Sequence, residues 1–107
     1  MSLDIWFEQV QPTTVFESNY THNVRAMARL AEVYWPLWHP EDAGISKASD
    51  LIEPIRNGLQ LMRAEPERFV ALDHETGWGT YDTFVPWLEK TLDACIKFPD
   101  ASVRVSR

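Results

Sequence analysis

The chain has 107 residues, 45% of them hydrophobic and 24% charged, with ten Lys and Arg against sixteen Asp and Glu. That balance predicts one folded domain spanning residues 1–107 and is neither disordered nor fibrous in character. A formal charge of −6 argues against a nucleic-acid partner, because phosphate recognition needs clustered cations and the basic residues here are dispersed among acids.

No apolar run approaches the roughly 20 residues of a membrane span, so no membrane partner is expected. The opening "MSLDIWFEQV" holds neither a basic stretch nor a continuous apolar one, which predicts no signal peptide. A single cysteine, Cys95, cannot form an internal disulfide. The expected compartment is the cytoplasm.

In "LDIWFEQV", Leu3, Ile5 and Phe7 alternate with Asp4, Trp6 and Glu8. This period of two predicts a strand with one face in the core and Trp6 on the other. Gln11-Pro12 breaks it, and "TTVFES", Thr13 to Ser18, predicts a second strand and hence a hairpin.

From Thr21 the period lengthens. Val24, Met27, Ala28, Ala31, Tyr34, Trp35 and Trp38 fall on one helical face, with Arg25, Arg29 and Glu32 opposite. Thr21 or Asn23 can cap the start, while Pro36 and Pro40 end or kink the helix. A second helix carries Ala48, Leu51, Ile52, Ile55, Leu59 and Met62. With Asp50 as its N-cap, Pro54 falls in the first turn, where a proline costs little. Gly58 lies mid-helix at about 1 kcal/mol relative to Ala, which predicts close packing against a neighbour.

After a short helical turn in "PERFVAL" comes "HETGWGTYDTFVPW", His74 to Trp87, in which Gly77 and Gly79 bracket Trp78. The third helix presents Tyr81, Phe84, Val85, Leu88, Leu92, Cys95 and Ile96. Thr80 or Asp82 can cap it, and Pro86 favours Asp82. Trp87 falls off that stripe. Finally "ASVRVSR" alternates as a strand that pairs with the first. The expected fold is α+β: a small antiparallel sheet, made of an N-terminal hairpin plus a C-terminal strand, packed on three helices in the order β-β-α-α-α-β.

Two clusters carry more polarity or exposure than folding requires. Asn19, Tyr20, Thr21, His22 and Asn23 crowd one strand-to-helix junction. Capping accounts for Thr21 and one Asn but leaves His22 and the other Asn over. At the second cluster, Trp78 either folds back as a core plug or stands out as an aromatic anchor. The candidate ligand- or partner-binding residues are therefore Asn19, His22, Asn23, Trp78 and Tyr81.

No catalytic motif, metal site or cofactor is read from the sequence. His22, His39 and His74 lie on three different connections without metalloprotease spacing, and no cysteine pair exists. Cys95 sits on an apolar stripe and reads as an inert thiol. Trp6 and Trp87, with Trp78, form a surplus of indoles beyond what one small core needs, which predicts a protein partner or self-association.

The segments "NYTHNVRAM" and "GWGTYDTFVPWLEKTLDACIKFPDA" resemble small, uncharacterised proteins of actinobacterial and phage-associated genomes, which share an Asn-rich junction and a Gly-Trp-Gly-x-Tyr segment. The resemblance covers most of the chain and implies an accessory role rather than a metabolic one. No activity is assigned to that family, so it implies no catalytic residue. The expected function is a binding or interaction module, with self-association as one form it can take. The alternative is a small-ligand site with hydrolytic or transfer chemistry, using His22 or His74 as base beside a carboxylate.

Overall fold

Residues 2–9 and 13–107 are described by a computed structural model; the predicted break at Gln11-Pro12 lies outside them. The alternation of Leu3, Ile5 and Phe7 becomes β1, Ser2–Glu8, in which all three side chains are fully buried. β2 is Thr14–Thr21 and runs three residues beyond its predicted end, so Asn19, Tyr20 and Thr21 belong to the strand rather than to a junction. β3 is Ser102–Ser106. The sheet is antiparallel in the order β2-β1-β3, as expected.

Register decides which side chains meet. Leu3, Ile5 and Phe7 stand opposite Tyr20, Ser18 and Phe16, and Val105 and Val103 continue that face from β3. The other face carries Asp4, Trp6 and Glu8 against Asn19, Glu17, Arg104 and Ser102. Trp6 is half-buried there. The free edge of β3 is closed by Ser46, whose carbonyl accepts from Val103 N–H at 2.9 Å. That contact blunts an edge which would otherwise offer unpaired backbone groups.

The first predicted helix is two. A short 3-10 turn, His22–Val24, leads into α1, Arg25–Leu30, and α2 covers Tyr34–Trp38. The break has a definite cause: Glu32 takes a left-handed φ of 61°. Val33 N–H then reaches Ala28 O at 2.9 Å and Glu32 N–H reaches Arg29 O at 3.0 Å. This pair of bonds is the Schellman closure, here without the glycine that usually marks it. Pro36 is the third residue of α2, where its missing N–H has no intrahelical partner to lose.

α3 spans Ile52–Ala64 and follows a 3-10 turn, Ala48–Leu51. Asp50 caps this start from inside the turn rather than from the N-cap position. Its carboxylate reaches back to Ser46 N–H and Lys47 N–H, both at 3.0 Å, and these bonds hold the carboxyl below its usual range. Gly58 is buried against the α1–α2 break, as its place in the helix predicts.

α4 is Pro66–Val70 and α5 is Tyr81–Lys97. The cap of α5 is Thr80, not Asp82. Thr80 and Thr83 form a capping box there, and Asp73 adds to it from eight residues away by accepting Tyr81 N–H at 2.8 Å. Pro86 then lies one full turn inside the helix, where its ring cannot donate to the Asp82 carbonyl.

The helices lie on the inner face of the sheet, and α5 is buried along two sides. Phe84, Leu88 and Cys95 face the interior as expected, and so do Trp87, Thr91 and Ala94. Ile96, assigned to the stripe, is exposed. The Cys95 thiol is pushed up to about 12 by burial, which leaves it protonated and unreactive.

Candidate functional site

The two polar clusters, at the start of the first helix and at the bend before the last, meet in a seam. Gly79, with φ +95°, packs so tightly on the helix start that a Cβ there would stand 3.2 Å from Asn23 Cβ, Thr21 Cγ2 and Val24 N. Beside it, the Tyr20 and Thr83 hydroxyls hydrogen-bond and tie β2 to α5. Desolvation dominates at Tyr20 and pushes its phenol up.

The loop between α4 and α5 is clamped at both ends. Asp73 holds Tyr81 N–H, and His74 N–H donates to Gly79 O at 3.3 Å. Inside it, Thr76 Oγ1 bonds His74 Nδ1 at 2.8 Å and accepts Trp78 N–H at 3.3 Å. Gly77 supplies the positive φ of the turn. The indole at its apex is 73% exposed. Of the two readings the sequence leaves open, the structure takes the exposed one.

Next to Trp78 lies a cleft of about 370 Å³, lined by Asn19, Tyr20 and Thr21 of β2, Thr76 and Trp78 of the loop, and Thr83 of α5. Asn19 and Trp78 thus meet across one opening, with Asn23 against its Gly79 wall. Tyr81 turns elsewhere: it is half-buried and its hydroxyl donates to Met62 O at 3.2 Å.

The two remaining surplus indoles do not share this exposure. Trp87, expected on an outer face, is buried beneath β2, where its Nε1–H reaches Ser18 Oγ at 2.9 Å and Asn19 O at 3.1 Å. Trp6 is half-buried on the sheet. The exposed partner of Trp78 in this respect is Trp35, at 53%.

On the other side of Asn23 opens a second cleft, of about 540 Å³, lined by His22, Asn23, Arg25, Tyr34, Trp38, His39 and Arg107. Its floor is a stack. Trp38 lies on Tyr34 with ring centroids 5.6 Å apart, and the Arg29 guanidinium sits 4.5 Å from the Tyr34 centroid. The Trp38 Nε1–H donates to His22 Nδ1 at 2.8 Å. An indole can only donate, so this bond requires His22 to carry its own proton on Nε2. Desolvation first, and the Arg25 charge second, hold the imidazole below its ordinary range.

Both effects act in the same direction on stability. Because the folded imidazole takes a proton less readily than the unfolded one, its contribution is complete above the ordinary value of 6.5 and is lost as pH falls through the lower folded value. Wild-type melting temperature is therefore expected to drop on acidification below about pH 6.5. His22→Gln, whose carbonyl can still accept from Trp38, should flatten that part of the profile.

At the far rim, Tyr34 Oη and His39 Nε2 lie 3.2 Å apart, and Arg107 donates to Trp38 O at 3.0 Å and to Glu41 Oε1 at 2.7 Å. His39, Glu41 and Asp42 bring one potential ligand atom each to within 4.8 Å of one another. The guanidinium already on Glu41 opposes a cation in that position. Sequence reasoning placed Tyr34 and Trp38 only on a helical stripe and gave Arg107 no role in a site. They come from segments about 70 residues apart, and no spacing rule joins them.

Glycine substitution tests the seam. At Gly77 an added Cβ meets open space, so Gly77→Ala should cost only the left-handed backbone penalty, about 1 kcal/mol. Gly79→Ala adds three close contacts to the same penalty and should cost about 2–3 kcal/mol in chemical denaturation. Equal losses would mean that the seam is loose.

No protein-family model, curated protein or solved structure matches the chain. Among the described residues, no helix is long and apolar enough to cross a membrane.

Proposed function

We propose that this chain is a non-catalytic binding module that takes a polypeptide partner at Trp78 and the cleft beside it. One observation carries the reading: an indole left 73% exposed at the tip of a loop that is hydrogen-bonded across its base. Exposing so large an apolar group contributes nothing to folding, while the clamped loop keeps the entropy lost on binding small. Tyr20, Thr21, Thr76 and Thr83 surround the indole with an apolar wall and a few hydroxyls, a mixture that suits an apolar side chain presented on peptide backbone. The accessory role implied by the resemblance to actinobacterial and phage-associated proteins agrees with this.

Catalysis has less support. His22 Nδ1 is taken by Trp38 and His74 Nδ1 by Thr76, and among the described residues neither imidazole hydrogen-bonds a carboxylate.

The test is selection of peptides from a random display library on the immobilised wild-type chain, followed by calorimetry. Trp78→Ala is expected to weaken the selected peptides by about 2 kcal/mol or more, the loss typical of a central aromatic anchor, with an unchanged melting temperature. Peptides that bind wild type and Trp78→Ala equally would overturn the proposal. Self-association is a special case, in which light scattering should show Trp78→Ala to be less associated than wild type.

A further inference from the structure

The second cleft is built for a different ligand. The chain carries a charge of −6, yet this opening is lined by Arg25 and Arg107, with His22, His39, Asn23 and Tyr34 as the other polar groups. We infer that it binds a small organic anion, whose oxyanion head, a phosphate or a carboxylate, is taken by Arg107 and Arg25.

Three features support this. First, the donors are held in place before any ligand arrives. Arg107 is tied to the Trp38 carbonyl, and His22 is fixed by the Trp38 indole, with no acceptor for its remaining N–H among the described residues. A planar guanidinium with one arm anchored still offers donors to an oxyanion.

Second, an oxyanion already sits on Arg107. The Glu41 carboxylate accepts its Nη2–H at 2.7 Å from an exposed position. It shows the chemistry that the guanidinium selects, and an exposed ion pair of this kind is weak enough for a ligand to displace. Asp42, with its carboxylate 3.9 Å from His39 Nδ1, is the other acid at this rim.

Third, a space of about 540 Å³ is too large for a bare ion and leaves room for a body behind the charged head. The Tyr34 ring already packs against Trp38 and the Arg29 guanidinium, so hydrogen bonds, more than stacking on that phenol, would orient the ligand.

Phenyl phosphate and benzoate are suitable probes, titrated into the full chain at constant ionic strength while the Trp38 indole N–H is followed by NMR. A saturable shift with either is expected, and the better of the two identifies the head group. Arg107→Gln should weaken binding about tenfold, as expected for a lost charge-assisted pair, and the exposed Arg25→Gln should weaken it by a smaller factor.

Glu41→Gln should tighten binding several-fold by removing the competing carboxylate. A merely structural role for the Arg107–Glu41 pair would not produce that gain. Trp78→Ala should bind the probes as wild type does, because its cleft is separate. Shifts that sodium chloride reproduces, unchanged affinity in both arginine variants, or weaker binding in Glu41→Gln would each overturn the inference.

Discussion

Trp38→Ala is expected to destabilise the chain by about 3–5 kcal/mol, the range for removing a large buried aromatic. Trp38 is 1% exposed, stacks on Tyr34, and closes the floor of the second cleft. Trp38→Phe separates packing from hydrogen bonding. A phenyl ring refills part of the space, so the loss should fall to about 1–3 kcal/mol. It cannot donate to His22 Nδ1, however, and an unoccupied Nδ1 can take a proton. The His22 titration should therefore move up in Trp38→Phe relative to wild type, as followed by its imidazole resonances. An unmoved titration would show that the indole does not control the imidazole.

Gly58→Val should cost about 3 kcal/mol, measured by urea denaturation. On an exposed helix, replacing glycine gains several tenths of a kcal/mol in propensity. Here the sign reverses. A Cβ at position 58 would lie 2.6 Å from Val33 Cγ1 and 3.0 Å from Ala31 O, and the branches of valine add bulk at the same place. Both contacts belong to the link where Glu32 adopts positive φ, so α3 and the α1–α2 break fit only with a bare backbone at 58. Gly58→Ala should destabilise less than Gly58→Val but in the same direction.

Much of this architecture is legible in the sequence, for physical reasons that differ by element. The inner face of β1 was readable because strand alternation is local, and Leu3, Ile5 and Phe7 need no distant information to face one way. Gly58 was readable because an uncompensated glycine in a helix implies a close neighbour. The α1–α2 break was not, because hydrophobic spacing runs on through Ala31 and Tyr34, and Glu32 is not a residue that announces a left-handed turn.

The burial of Trp87 and the choice of Thr80 over Asp82 as the cap of α5 departed from the sequence reading for a related reason. The face carrying Trp87 looked external because it is off the main stripe, yet Ser18 and Asn19 of β2 supply acceptors for its indole. Those partners lie nearly 70 residues away. Asp73 likewise supports the Thr80 start of α5 from outside the helix, beyond the adjacent residues that cap rules consider.

The candidate site was half legible. Excess polar groups at Asn19–Asn23 and paired glycines around Trp78 are local anomalies, and the fold joins them at Gly79. Tyr81 seemed part of that group by proximity alone, but helical geometry turns its phenol toward Met62. The second cleft required Tyr34, His39 and Arg107 to converge, and that depends wholly on tertiary packing.

The placement of the partner at Trp78 can be read directly by fluorine NMR on protein labelled with 5-fluorotryptophan, whose five indoles report separately. On titration with the best selected peptide, the Trp78 resonance should move most and lose its sensitivity to solvent, while buried Trp38 and Trp87 stay in place. A peptide that shifts Trp35 or Trp6 and leaves Trp78 exposed to water would contradict the account.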